Sequence, residues 1–375
     1  MWWIRHLPYT VDQRNLFLRL LVAGIVLLAG SCREGESPTV SSTPLYETAW
    51  PPGVDGLLEW GNVGDSIFAS SGKEGSYLLT VWKWKGDVLV ESVSAPVPKC
   101  IQVVPASQGL CVMALDPGDN YSDWPYCVFD FKEGKVIEKW PTPGWYIKLA
   151  AANSNGSLIA LVATEDVSSP PPGYDFEVSS AKVGILDVSK KELRWRGLVS
   201  GPFGEDACLT SVAVTDDGRY IAVAGWSNGV AMVDCEAGKV LWSIRPREEL
   251  SSGYAVFSPD SKVVYAAGSE GCVYGMDVTT GTVLSARYAT RSGKYEELNR
   301  IEAVAISKDG EWLAAGVCPD GEVYLWNLKD SSRPRIFLHN PPGVMGTVLI
   351  LSFSPDARRL ASVGKGGLKI WQVKD

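Results

Sequence analysis

Residues 209–242 read LTSVAVTDDGRYIAVAGWSNGVAMVDCEAGKVLW, and the same outline returns three more times. The later copies are YAVFSPDSKVVYAAGSEGCVYGMDVTTGTVL at 254–284, IEAVAISKDGEWLAAGVCPDGEVYLWNL at 301–328 and VLILSFSPDARRLASVGKGGLKIWQV at 348–373. Each copy is an apolar run, an acidic turn, a second apolar run, a glycine turn and a third apolar run. Asp217, Asp260, Asp309 and Asp356 mark the phase, at intervals of 43, 49 and 47 residues. Short alternating runs bounded by Gly, Asp, Ser and Pro are strands.

The punctuation tells the strands apart. The first turn is of the S-P-D-G type: Thr215–Gly218, Ser258–Ser261, Ser307–Gly310 and Ser354–Ala357. Proline at its second place presets φ, and Asp and Gly suit the later ones. The second turn runs from a glycine to a glycine: Gly225 to Gly229, Gly268 to Gly271, Gly316 to Gly321 and Gly364 to Gly367. The third is a hairpin centred on Gly238 or Gly281. Four strands (a to d) per period, with a period in the forties, is the outline of a β-propeller blade.

The template continues more weakly towards the N-terminus. Blades are expected at about 56–96, 99–140, 145–196, 208–245, 252–288, 300–339 and 346–375, seven in all. The last stops at Asp375, just after its strand c. Residues 43–50 (TPLYETAW) look like an orphan strand before the first blade. They are expected to complete the last blade and leave the ring without an open seam. The fold class is therefore all-β, a seven-bladed propeller over 43–375 closed by an N-terminal strand.

Composition agrees with one large repeat domain. Apolar residues make up 46% of the 375, enough for a packed core. The formal charge is −8, and residues 1–31 contribute +2 through Arg5, Arg14 and Arg19 against Asp12, which leaves −10 for the rest. An acidic body repels phosphate backbones, so nucleic acid is not an expected partner.

The first 31 residues read as an address. Three arginines precede the apolar run Leu20–Ala29, which is too short to span a bilayer stably and matches a secretory core. The sequence LLAGSC at 27–32 resembles a bacterial lipoprotein signal, which implies lipid on Cys32 and attachment to a membrane on its outer side. The usual Leu three places before the cysteine is replaced by Ala29, with Leu28 one place further out. Residues 32–42 are polar and rich in Ser, Pro and Thr, the composition of a flexible tether.

From 43 onward the chain resembles bacterial WD-repeat propellers, through the S-P-D-G turns and strand-c Trp326 and Trp371. The Gly-His pair before strand a is absent, and the Asp before strand c survives only as Asp320. The hydrogen-bonded tetrad that ties such blades together is thus expected to be mostly missing. Asp234, Gly238, Leu241 and Trp242, then Asp277, Gly281 and Leu284, resemble the quinoprotein-type repeat instead. Either resemblance implies the fold; function does not transfer from it.

Chemistry is sparse. His339 is the one histidine beyond the leader and falls where strand d of blade six ends, so it is expected on a loop or rim. One histidine builds neither a zinc site nor, without a G-x-S-x-G elbow, a serine triad. Cys100, Cys111, Cys127, Cys208, Cys235, Cys272 and Cys318 show no C-x-x-C spacing and read as buried thiols. No cofactor and no metal is expected; the dense oxygens of Asp116, Asp119, Asn120 and Asp123 do not follow EF-hand spacing.

The informative asymmetry is in loop length. The insertions 116–125, 164–180, 200–208, 288–299 and 339–346 all fall on b–c or d–a connections, which share one face. Asp116, Asp119, Tyr121, Asp123, Trp124, Tyr174, Asp175 and Phe176 mix carboxylates with aromatics, residues that suit a protein interface. The reading is a non-catalytic, lipid-anchored scaffold of the cell envelope that binds a protein partner through this face. Two alternatives stay open: a hydrolase (glycosidase or lactonase) with carboxylates in the central funnel, and a small-ligand or sugar sensor.

Overall fold

The computed structural model describes residues 40–41, 44–48, 57–63, 66–73, 76–85, 88–97, 100–106, 110–115, 126–130, 133–140, 145–165, 181–198, 208–226, 229–244, 254–267, 271–289, 300–330, 334–340, 346–364 and 367–374. Two strands come first, β1 (Val40–Ser41) and β2 (Tyr46–Thr48). Seven quartets or triplets follow. The first is β3 (Leu57–Val63), β4 (Ser66–Lys73), β5 (Ser76–Lys85) and β6 (Val88–Val97). The second is β7 (Cys100–Pro105), β8 (Leu110–Leu115), β9 (Tyr126–Asp130) and β10 (Lys135–Trp140). The third is β11 (Trp145–Ala152), β12 (Leu158–Glu165), β13 (Ala181–Asp187) and β14 (Glu192–Leu198). The fourth is β15 (Cys208–Val214), β16 (Tyr220–Trp226), β17 (Gly229–Asp234) and β18 (Lys239–Ile244). The fifth is β19 (Ala255–Phe257), β20 (Val263–Ala267), β21 (Cys272–Asp277) and β22 (Val283–Tyr288). The sixth is β23 (Arg300–Ile306), β24 (Trp312–Cys318), β25 (Glu322–Asn327) and β26 (Arg335–Leu338). The seventh is β27 (Val348–Phe353), β28 (Arg359–Gly364) and β29 (Gly367–Gln372).

Among the described residues these strands form seven sheets, in which all neighbours are antiparallel except β1 and β26. The acidic turns repeat one hydrogen-bonded device. The hydroxyls of Thr215, Ser258, Ser307 and Ser354 donate to the carboxylate two residues on, at 2.6, 2.7, 2.5 and 2.6 Å. Each hydroxyl also accepts the amide five residues on, at 3.0 Å from Tyr220 and 2.9 Å from Val263, Trp312 and Arg359. The carboxylate in turn accepts an amide within the turn, as Asp309 does from Glu311 at 3.0 Å. The serine bond is the first cause holding Asp260 and Asp356 below the usual carboxylate range. The third sheet makes the same turn from amides. Asn153 Oδ1 accepts the Leu158 amide at 3.1 Å and Asn155 Oδ1 accepts that of Ser157 at 2.9 Å.

Pairing of the first two strands slips by one residue near the start of strand a in six sheets, as between Leu209 and Ser211 or Ile301 and Ala303. An extra residue on one strand bends it and raises its right-handed twist. Twisted sheets pack face to face around an axis, and the core lies between them. The cluster of Val112, Val128, Ile159 and Leu161 fills the gap between the second and third sheets. Leu325, Phe337, Leu351, Phe353 and Trp371 fill that between the sixth and seventh. Trp84, Ile350, Val363 and Ile370 join the seventh sheet to the first. Each side chain of this size, fully buried, contributes about 1.5–3 kcal/mol.

The N-terminal strands take part in two sheets. β2 pairs antiparallel with β29, Tyr46 opposite Ile370 and Thr48 opposite Leu368, and so is the outermost strand of the seventh sheet. β1 pairs parallel with β26, Val40 opposite Ile336 and Ser41 opposite Phe337, and makes the sixth sheet five-stranded. This corrects the expectation of a polar tether through residue 42. An outer strand offers unpaired amides and carbonyls, and β1 pairs with part of that edge.

Candidate interaction site

Strand direction fixes where the insertions leave the sheets. In a four-stranded antiparallel meander, b–c and d–a connections emerge at one end, and a–b and c–d turns at the other. Residues 116–125 join β8 to β9 and residues 166–180 join β12 to β13, both b–c connections. Residues 199–207, 289–299 and 339–347 join d to a, between β14 and β15, β22 and β23, and β26 and β27. The strand ends carrying the five insertions therefore lie at the same end of their sheets. Asp116, Asp119, Tyr121, Asp123, Trp124, Tyr174, Asp175 and Phe176 lie outside the described residues, as does Cys32.

Two side-chain groups are described at this end. Tyr254, just before β19, donates its phenol to Glu302 Oε2 of β23 at 3.3 Å. Burial first, and then the charge of Glu302, pushes the phenol up to about 12. Arg300 Nε stands 3.5 Å from the other oxygen of Glu302. The three residues link the inner strands of the fifth and sixth sheets. Nothing local in the sequence pairs residues 254 and 302; the link exists because β19 and β23 lie side by side.

The second group corrects the placement of His339. It lies in the d–a connection but is fully buried, not on a rim. Its Nδ1 is 2.8 Å from Ser362 Oγ, and Trp371 Nε1 donates to the same oxygen at 2.7 Å. The Ser362 hydroxyl, which can both donate and accept, thus bridges the indole and the imidazole. Burial first, and then the nearby Lys369 charge, lowers the imidazole to about 4. His339, Ser362 and Trp371 thus form a hydrogen-bonded chain at the sixth–seventh seam. Sequence reading missed it because the histidine stands without its preceding glycine.

Glycines close around this seam. A Cβ on Gly364 would sit 2.4 Å from the Thr347 carbonyl and 2.9 Å from His339 Nε2. A Cβ on Gly321 would sit 2.0 Å from Asn340 Nδ2. Cys111, Cys127, Cys235 and Cys272 are buried, and burial pushes the Cys127 thiol up to about 11. A thiol that far from ionising is a packing residue. Among the described residues no group of three or more His, Cys, Asp or Glu could hold a metal ion.

Comparison with known proteins meets this geometry at the level of fold. The family described as outer membrane protein assembly factor BamB matches residues 173–350. An uncharacterised WD repeat-containing protein of Synechocystis is 22% identical over 203 residues, 54% of this chain and 42% of that protein. The chain thus spans less than half the length of the curated relative it matches. The β-propeller domain of Cps50 (Swd1) from Myceliophteria thermophila superposes with a TM-score of 0.55 at 14% identity, covering 84% of this chain and 99% of that one. The chain is a β-propeller, similar to WD-repeat and quinoprotein-type propellers. The propeller accounts for the repeated turns, the radial cores and the completion of the last sheet by β2.

Proposed function

We propose that the seven sheets are the seven blades of a closed ring that works as a non-catalytic scaffold of the cell envelope. It is held to a membrane through lipid on Cys32 and binds a protein partner with its b–c and d–a loops. The observation that carries this reading is the concentration of all five insertions at one end of the sheets. Aromatic and acidic residues in 116–125 and 164–180 are the types that anchor interfaces, and the rigid sheets beneath cut the ordering cost of binding. A match to a family named for outer-membrane assembly agrees with an envelope location and a protein partner.

The test is capture of the membrane-anchored protein from its own cells, with segments 116–125 and 164–180 intact or replaced by short turns. A stoichiometric partner lost with the loops, in a protein of unchanged thermal midpoint, supports the scaffold. The same partner retained after both replacements places the interface elsewhere. A hydrolase would need two carboxylates facing the funnel, and the inner strands carry Glu59 and Glu302. Hydrolysis abolished by Glu302→Gln would favour that alternative.

A further inference from the structure

Buried polar atoms without a partner are not spread evenly through the molecule. Among the described residues six side-chain nitrogens and oxygens are buried with no hydrogen-bond partner. Five of them lie along the seventh sheet. Trp84 Nε1 belongs to the cluster that joins the first sheet to the seventh. Ser352 Oγ is on β27, two residues beyond Ile350 of that cluster and so on the same face. Trp312, with its Nε1 unpartnered, packs against the cluster between the sixth and seventh sheets. His339 Nε2 and Asn340 Nδ2 stand where the chain passes from the sixth sheet to the seventh. The sixth atom, Arg287 Nε, is in the fifth sheet.

The same sheet is the least continuous. Each of the first six sheets has four consecutive strands of its own, whereas the seventh has three and borrows β2. β2 holds it through three residue pairs, from Tyr46 to Thr48. A buried donor or acceptor without a partner recovers its desolvation cost when its seam opens to water. Five such groups therefore favour opening at this sheet over sheets whose polar groups are satisfied. The ion pairs of Lys374 with Asp309 and Glu311 cross the sixth–seventh seam, but partly exposed pairs of this kind resist opening weakly. We infer that the seventh sheet is the opening element of the propeller. It parts from the sixth and the first as a unit while the other sheets stay packed, and β2 is the strap that keeps it shut. Opening uncovers Ile350, Val363 and Ile370 on one face and Leu351 and Trp371 on the other.

The test is amide hydrogen exchange of the full-length protein under native conditions, read by mass spectrometry. β28, β12 and β16 are compared, because each is the second strand of its quartet or triplet and is paired on both sides. Amides of β28 should exchange at least about tenfold faster than those of β12 and β16. Two serine variants of the seventh sheet test the cause. Ser352→Ala removes an unpartnered hydroxyl and should slow exchange in β28 by about fivefold. Ser362→Ala, one strand away, removes a hydroxyl bonded to His339 and Trp371 and should speed it. Neither change should alter β12 or β16. Equal protection of the three strands overturns the inference. So does unchanged or faster exchange after Ser352→Ala, which would mean that its hydroxyl costs the closed seam nothing.

Discussion

His339 shows how one side chain ties stability to pH. Its folded-state value of about 4 lies below the ordinary 6.5, so the folded protein binds this proton less readily than the unfolded chain. Its contribution is whole above pH 6.5 and is lost as the pH falls towards 4. The full difference corresponds to about 3 kcal/mol at most. His339→Gln should flatten the fall in urea midpoint across that window, whatever it costs at neutral pH. An unchanged slope would assign the acid sensitivity to other groups. Ser362→Ala removes the shared partner of two buried groups, the Trp371 indole and His339 Nδ1, and should cost about 3 kcal/mol at pH 7. A cost under about 1 kcal/mol would mean that the seam repacks around them.

The strand elements were legible wherever their turns are built from local hydrogen bonds. The S-P-D-G signal marks a hydroxyl, a carboxylate and two amides within six residues, so a short window of sequence contains the whole device. The third sheet uses Asn153 and Asn155 in those places, which is why its repeat reads weakly while its turn is the same. β1 was not legible, because two residues carry no period and its partner is almost 300 residues away. The device also predicts a stabilising change. The fourth place of the turn has a positive φ: 71° at Gly218 and Gly310, 56° at Ser261. A side chain in that region costs about 1–2 kcal/mol, only partly offset by the extra freedom of an unfolded glycine. Ser261→Gly should therefore raise the denaturation midpoint by an amount worth about 0.5 kcal/mol, and a fall in midpoint would show that φ is not the limiting term.

Closure belongs to the whole molecule. Seven sheets packed around an axis must join the last to the first, and here the seventh sheet meets the first through Trp84, Ile350, Val363 and Ile370. That sheet has only three strands from the C-terminal part of the chain, and β2 supplies the fourth. The N-terminal segment thus clasps the sixth and seventh sheets, covering an edge on each that would otherwise invite pairing with another molecule. Leu45→Pro tests the clasp with little disturbance of packing, because the Leu45 side chain is 56% exposed while its amide donates to the Ile370 carbonyl at 2.7 Å. Losing that bond should cost about 1 kcal/mol and loosen β2 without altering any core residue. Amide hydrogen exchange should quicken in β29, and to a smaller extent in β26, while β12 and β16 keep their protection. Uniform acceleration across all sheets would instead show a ring that opens as a single cooperative unit, with no separate clasp to release.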